Sequence, residues 1–180
     1  TGASSGFGQI TAQYLGEKGY KVYGTSRRKR ELEGPYQMVQ LDVQDEDSIR
    51  MDVEEVIEKE GRIDVLVNNA GVGLVGPMEL HGLDEVHQVM DTNVYGVFRV
   101  TKAVLPYMRK QNKVTIINIS SISGLIGTPY RACYSASKAA VETLTESLSM
   151  EVKGMGSIAC TVAPGDFDTG ISDRRVPLKR

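Results

Sequence analysis

Cysteine is nearly absent from this 180-residue chain: only Cys133 and Cys160 occur, too far apart for a CxxC pair. With no CxxC and no His/Cys ligand spacing, no metal site is expected. Two lone thiols suit a reducing compartment, and the cytoplasm is the expected location. Both read as small buried hydrophobes. Histidine is as scarce: His81 and His87 stand in a polar stretch without partner ligands, and both read as solvated. No apolar run nears the roughly 18 residues of a membrane span. No signal peptide is visible, although the chain starts inside a motif. Net charge is low as well, −2 with a pI of about 5.8. A broad pull toward nucleic acid or an anionic membrane is thereby excluded. The run Arg27, Arg28, Lys29, Arg30 is the local exception.

What is present is an ordinary globular composition, 41% hydrophobic, with length for one domain and a sizeable core. Short β-rich runs alternate with helical patterns. Residues 21–26 (KVYGTS), 37–41 (QMVQL), 63–67 (IDVLV), 114–119 (VTIINI) and 157–162 (SIACTV) read as strands. Ile49, Val53, Val56 and Ile57 place a helix over 45–60, stopped by Gly61. Val86, Val89, Met90, Val94, Val97, Thr101, Val104 and Met108 place one helix over 84–110, and Val141, Leu144 and Leu148 another over 134–153. Ile10, Tyr14 and Leu15 mark one side of a helix near the start. Strands apolar on both faces, alternating with helices, mean a parallel sheet covered on both sides. The expectation is a single Rossmann-like domain over 1–180, a doubly wound three-layer α/β/α sandwich. Nothing strand-like precedes Thr1, where such a fold has a central strand, and the basic tail 173–180 shows no closing strand. The chain is therefore expected to lack its natural N-terminal strand and a C-terminal part.

Three patterns point to chemistry. Thr1-Gly2-Ala3-Ser4-Ser5-Gly6-Phe7-Gly8 is a glycine loop entering a helix. A dinucleotide pyrophosphate sits against such a helix N-terminus, and Gly2, Gly6 and Gly8 would keep side chains out of its way. The spacing G-x3-G-x-G departs from G-x-G-x-x-G, and a flexible Gly/Ser turn is the alternative. Asn68-Asn69-Ala70-Gly71 follows the strand 63–67, at the strand end where open α/β sheets bind ligands. An Asx turn uses the same residues. Ser121 follows the strand 114–119 in the same manner. Tyr134 and Lys138, four apart on a helix, face one way. A phenol with a pKa of about 10 is a poor base at neutral pH, and a nearby lysine cation or oxidised nicotinamide lowers that value. The phenol could then exchange a proton with an alcohol or carbonyl oxygen that Ser121 also holds. Taken alone, Y-x3-K describes two exposed helix residues just as well.

In order along the chain, TGASSGFG, LDV at 41–43, NNAG, Asn93, SSISG, YSASK and PGDFDT resemble the short-chain dehydrogenase/reductase family, from Thr1 to about Thr169. The resemblance implies hydride transfer between a nicotinamide and an alcohol or carbonyl substrate. It implies Tyr134 as the catalytic acid/base, with Lys138 lowering its pKa and bonding the nicotinamide ribose. It implies that Ser121, 13 residues before Tyr134, orients the substrate oxygen. Ser120 is set aside by its spacing to Tyr134 and Gly124. Asn93 is implied to help a proton relay through water. For the cofactor, the resemblance implies Gly2, Ser4, Ser5, Gly6, Phe7 and Gly8 at the phosphates. Asp42 and Val43 fall at the adenine, Asn69, Ala70 and Gly71 on the ribose side, and Pro164, Gly165 and Thr169 at the nicotinamide.

NAD-preferring members carry an acid where KVYGTS ends in Ser26-Arg27-Arg28. NADP(H) is therefore expected over NAD(H), with Arg27 or Arg28 pairing the 2′-phosphate and Ser5 donating a further bond. Lys29 and Arg30 read as a solvated helix start. The substrate is expected to be a small alcohol, ketone or aldehyde, with Leu125, Ile126 and Tyr130 either walling its pocket or packing internally. The family analogy implies a homodimer or homotetramer through helices 84–110 and 134–153, with Ala136, Ala139 and Ala140 allowing close contact. Two alternatives stand beside this reading: a non-catalytic NADP(H)-binding or sensing protein of the same fold, and an epimerase or dehydratase using the same site.

Overall fold

The computed structural model describes residues 1–28, 33–154, 156–165, 167 and 176. Helix α1 (Gly6–Glu17) leads into β1 (Tyr23–Ser26), which pairs with β2 (Gln37–Gln40). After α2 (Glu46–Glu60) come β3 (Leu66–Asn68), β4 (Thr115–Ile119) and β5 (Ile158–Val162), hydrogen-bonded in that order. Between β3 and β4 run α3 (Leu83–Met90), a π turn (Asp91–Tyr95) and α4 (Gly96–Lys110). Between β4 and β5 run α5 (Ile122–Leu125) and α6 (Ala132–Glu151). Every pairing is parallel, so the strand carboxyl ends point one way and can share a site. This is the doubly wound, Rossmann-like α/β arrangement that the alternation of strands and helices predicts.

The sheet parts between β1 and β3. Residues 1–3 cross the opening: the Thr1 amino group donates to the Val67 carbonyl, and the Ala3 N–H to Thr25 O at 2.8 Å. This is the place where the sequence leads one to expect a further strand. The main core joins α2, α4 and α6 to the strands through Val53, Leu66, Val104, Met108, Ile116 and Leu148. A smaller cluster of Ala3, Ala12 and Tyr36 lies where α1 meets β1 and β2.

Local chemistry explains most element ends. Asp45 caps α2 by accepting from the N–H groups of Asp47 and Ser48. Gly61 ends it in the left-handed region, φ 73°, with its N–H on Ile57 O. The run IDVLV starts pairing only at Leu66, because the main chain of Ile63 is held by the Gln111 amide through both its N–H and its carbonyl. The expected single helix over 84–110 contains the π turn, where the Gly96 N–H reaches back to Asp91 O. One wide turn barely rotates the apolar face, so the spacing Met90, Val94, Val97 conceals it.

Helix α1 departs from its apolar pattern. Ile10 and Tyr14 are exposed, and the buried residues are Gly8 and Ala12. The helix docks through small residues four apart. A Cβ on Gly8 would stand 2.3 Å from Gly2 O, and one on Gly16 2.3 Å from Pro35 O. That close approach leaves no room for the bulky stripe to face inward.

Replacing Asp45 by Ala removes two cap bonds, and we expect a loss of about 1 kcal/mol. The denaturation midpoint should fall at an unchanged slope, as read in urea titration.

Candidate active site

Helix α6 buries Tyr134, Ser137 and Lys138 on the face it turns toward the strand ends. Lys138 Nζ donates to Ile119 O at 2.8 Å, where β4 ends, and lies 5.9 Å from the centroid of the Tyr134 ring. Burial lowers the Lys138 pKa to about 8, and the Glu142 carboxylate partly offsets that fall. The ammonium therefore persists at neutral pH and is lost as pH rises through that value.

Such closeness of α6 to β4 depends on small residues. A Cβ on Gly124 would stand 2.9 Å from both the carbonyl carbon and the Cβ of Lys138. Ser120 Oγ is occupied structurally, donating to Lys138 O at 3.3 Å. Ser121 caps α5 from extended backbone, its Oγ accepting from the Ser123 N–H at 3.1 Å. With that acceptor role filled, its own O–H remains to donate elsewhere. Ser120 is thus tied to the backbone of Lys138, while Ser121 caps the start of α5.

Asn93 is fully buried inside the π turn. Its side chain accepts from the Val72 N–H (2.9 Å) and donates to Val72 O (3.0 Å) and Ser137 Oγ (3.0 Å). That amide is a clamp between the turn after β3 and α6, with little left over for a water relay. Gly71 lies beside it. A Cβ there would be 3.3 Å from Asn93 Oδ1 and 3.5 Å from Lys138 Nζ, so glycine keeps the space before the ammonium clear.

In the glycine loop, Gly2 (φ 66°) and Gly8 lie tightly on the protein: a Cβ on Gly2 would stand 2.9 Å from Ala70 Cα, and one on Gly8 2.5 Å from Asn69 Nδ2. Asn69 donates to the carbonyls of Thr1 (3.0 Å) and Gly2 (3.2 Å). Thr1 Oγ accepts the N–H groups of Asn69 and Ala70, both at 3.1 Å. Thr1 is a residue the sequence reading missed, and only the distant pairing of segments reveals it. The residues nevertheless fit a dinucleotide. The Ser5 side chain makes no cap bond, Gly6 turns the chain at φ 55°, and no acid occupies the first turn of α1. Those N–H groups remain for a phosphate. Ser4 and Phe7 flank the same turn, and Phe7 meets Phe167 edge-to-face at 5.4 Å.

Asp42 Oδ1 accepts from the Gln44 N–H at 3.0 Å. The Val43 side chain belongs to the core and abuts Gly96, so any ligand contact from Val43 must come from its main chain. Pro164 O accepts from the Ile122 N–H at 3.1 Å, which brings the segment after β5 to the start of α5. A Cβ on Gly165 would meet open space. At the end of β1, Ser26 is buried while Arg27 and Arg28 are exposed. No ion pair engages either arginine among the described residues. Thr169, Lys29 and Arg30 lie outside the described residues.

Two readings shift. His81 is half-buried rather than solvated, with Nδ1 3.6 Å from Cys133 Sγ. Leu125 (64%), Ile126 (72%) and Tyr130 (65%) are exposed, as is Met78 (71%), so none of them belongs to the core. Tyr130 holds a left-handed φ of 63°, its carbonyl accepting from the Gly76 N–H at 2.8 Å.

A family model described as short chain dehydrogenase matches residues 1–178. The chain belongs to that family. A 3-ketodihydrosphingosine reductase of Bacteroides thetaiotaomicron is 53% identical over 175 residues, covering 97% of this chain and 65% of that protein. A short-chain dehydrogenase from Streptomyces avermitilis superposes with a TM-score of 0.89 at 38% identity, over 93% of this chain and 64% of that one. ElxO with NADP bound gives a TM-score of 0.88 at 33% identity, over 94% and 73%. The chain thus spans about two thirds of the length of the first two. Among the described residues of this family member, no helix is long and apolar enough to cross a membrane.

Gly124→Ala should force α5 off α6 at Lys138. We expect a stability loss of about 1–3 kcal/mol, seen in denaturant titration, and reduced turnover in the fraction that stays folded.

Proposed function

We propose that the protein is an NADP(H)-dependent carbonyl reductase acting on a ketone attached to an apolar chain. The observation that carries this is the buried Tyr134–Lys138 pair at the strand ends, with the Lys138 ammonium on Ile119 O. A bound nicotinamide dinucleotide supplies the hydride. Tyr134 gives a proton to the developing alkoxide, and the cation of Lys138 makes the phenol a strong enough acid for that transfer. Ser121 donates its O–H to the same oxygen. One Nζ proton of Lys138 is used by Ile119, leaving two for ribose hydroxyls. Asn93 ties Val72 to Ser137 behind the pair.

Support for NADP(H) comes from the exposed Arg27 and Arg28 beside Ser26, which make no ion pair among the described residues, and from the family neighbour with NADP bound. Support for an apolar substrate comes from the exposed Leu125, Ile126, Tyr130 and Met78, and from the 53% identical 3-ketodihydrosphingosine reductase. Association of copies through α4 and α6 belongs to the same proposal, since Phe98 of α4 and Ala136 of α6 are exposed, as is Tyr95 at the end of the π turn.

Tyr134→Phe should keep NADPH binding, measured by fluorescence titration, and lose turnover by about a hundredfold or more. Near-normal turnover would sink the proposed acid. Arg27→Ala should raise the KM for NADPH about tenfold, the loss of one charge-assisted bond, and leave the KM for NADH nearly unmoved. Equal changes for both cofactors would refute the 2′-phosphate assignment.

A further inference from the structure

Glu142 stands one helical turn after Lys138 and two after Tyr134, so the three side chains share a stripe of α6. Residues four apart on a helix have Cβ atoms about 6 Å from each other. Its Oε2 accepts a short bond, 2.6 Å, from Thr161 Oγ of β5. Its Oε1 is shielded from solvent and has no hydrogen-bond partner among the described residues. Carboxylate oxygens are costly to leave in that condition unless a positive charge is near. Lys138 needs the reverse, since its buried ammonium has the Ile119 carbonyl as its one hydrogen-bond acceptor among the described residues.

We propose that Glu142 is a positioning residue for the reaction, a countercharge fixed by Thr161 that keeps the Tyr134–Lys138 pair protonated. This rests on the reading above, in which carbonyl reduction requires both the phenol proton and the ammonium. The direction of the effect does not depend on how the protons are shared between the two groups. Removing a nearby negative charge makes every proton of a coupled pair easier to lose. Reduction then fails at lower pH, whichever group titrates first. Burial alone pulls Lys138 down and Glu142 opposes it. Thr161 locates the carboxylate: it lies beside Asn118 in the β4–β5 register, one residue before the strand end that Lys138 touches.

Besides the pair and Glu142, α6 itself carries Cys133, Glu146 and Glu151, and Arg131 precedes its first turn. The π turn brings Asp91, paired with Arg99, and the exposed Tyr95. Helix α3, also packed on α6, brings Asp84, Glu85 and His87, and β5 brings Cys160. Neither α5 nor the turn 69–72 has an ionisable side chain. All of these stay constant when Glu142 alone is changed.

The test is the pH profile of kcat/KM for NADPH-dependent ketone reduction, measured on the full natural chain. Glu142→Gln keeps the shape and can still accept from Thr161, so circular dichroism should match the parent. Its alkaline limb should move down by about one pH unit. Glu142→Asp restores the charge and should bring the limb back toward the parent, which a packing role would not do. An alkaline limb unmoved in both variants overturns the inference. Lys138→Met separates the two readings. If that variant is inactive while Glu142→Gln has the parental profile, only Glu142 is misassigned. If Lys138→Met keeps normal turnover, the proton-handling pair itself is wrong.

Discussion

An ammonium taken out of water costs several kcal/mol unless oxygens replace its hydration shell. Lys138 carries such a charge into the protein at the end of β4, and much of the surrounding chain is shaped by that fact. The Ile119 carbonyl is the first replacement oxygen. To present it, α6 must lie very near the strand end, and small residues make that approach possible. Gly124 admits the backbone of Lys138, and Ser120 ties the same residue's carbonyl to the end of β4. Gly71 keeps a side chain away from Nζ. The small residues around Tyr134 and Lys138 thus have a common origin in one close contact.

The same helix is fixed to the sheet further along by polar bonds. Thr145 bonds Asn118, which bonds Asn68, which reaches Thr101 on α4. All four side chains are buried. Asn68 and Asn118 are register partners on adjacent strands, so the chain of amides runs across the sheet from one helix to the other. Apolar packing alone would hold α6 against the core yet tolerate sliding. Directional bonds do not, because a slipped register leaves buried amides unpaired. Placing a phenol against a reactive oxygen demands that kind of precision.

How much of this was legible in the sequence depends on distance along the chain. The Tyr134–Lys138 spacing and the order of strands and helices are local patterns, and both survive in the structure. The cap at Asp45 and the stop at Gly61 are local too. What could not be read depends on segments far apart. Asn68 looks like a turn residue, and Asn118 like an odd polar residue in a strand, until the strand register pairs them. His81 looked solvated because its partner, Cys133, lies 52 positions away. The π turn was hidden because a single widened turn leaves the apolar spacing nearly intact. In α1 the periodicity misled, since a helix that docks on glycines sends its large apolar side chains outward.

Those glycines alter how the cofactor loop is understood. Gly2 and Gly8 are small because the loop lies directly on the turn after β3, where Asn69 and Ala70 bind Thr1 and Gly2. The open N–H groups of α1 are a consequence of that docking. Two residues further, the same turn changes partner: Gly71 fronts Lys138, and Val72 is clamped by Asn93. Four consecutive residues, 69–72, therefore touch both the loop 1–8 and the surroundings of Lys138. The distance from the N-terminus of α1 to the Lys138 ammonium is thus set by a few backbone atoms, not by the packing of whole helices.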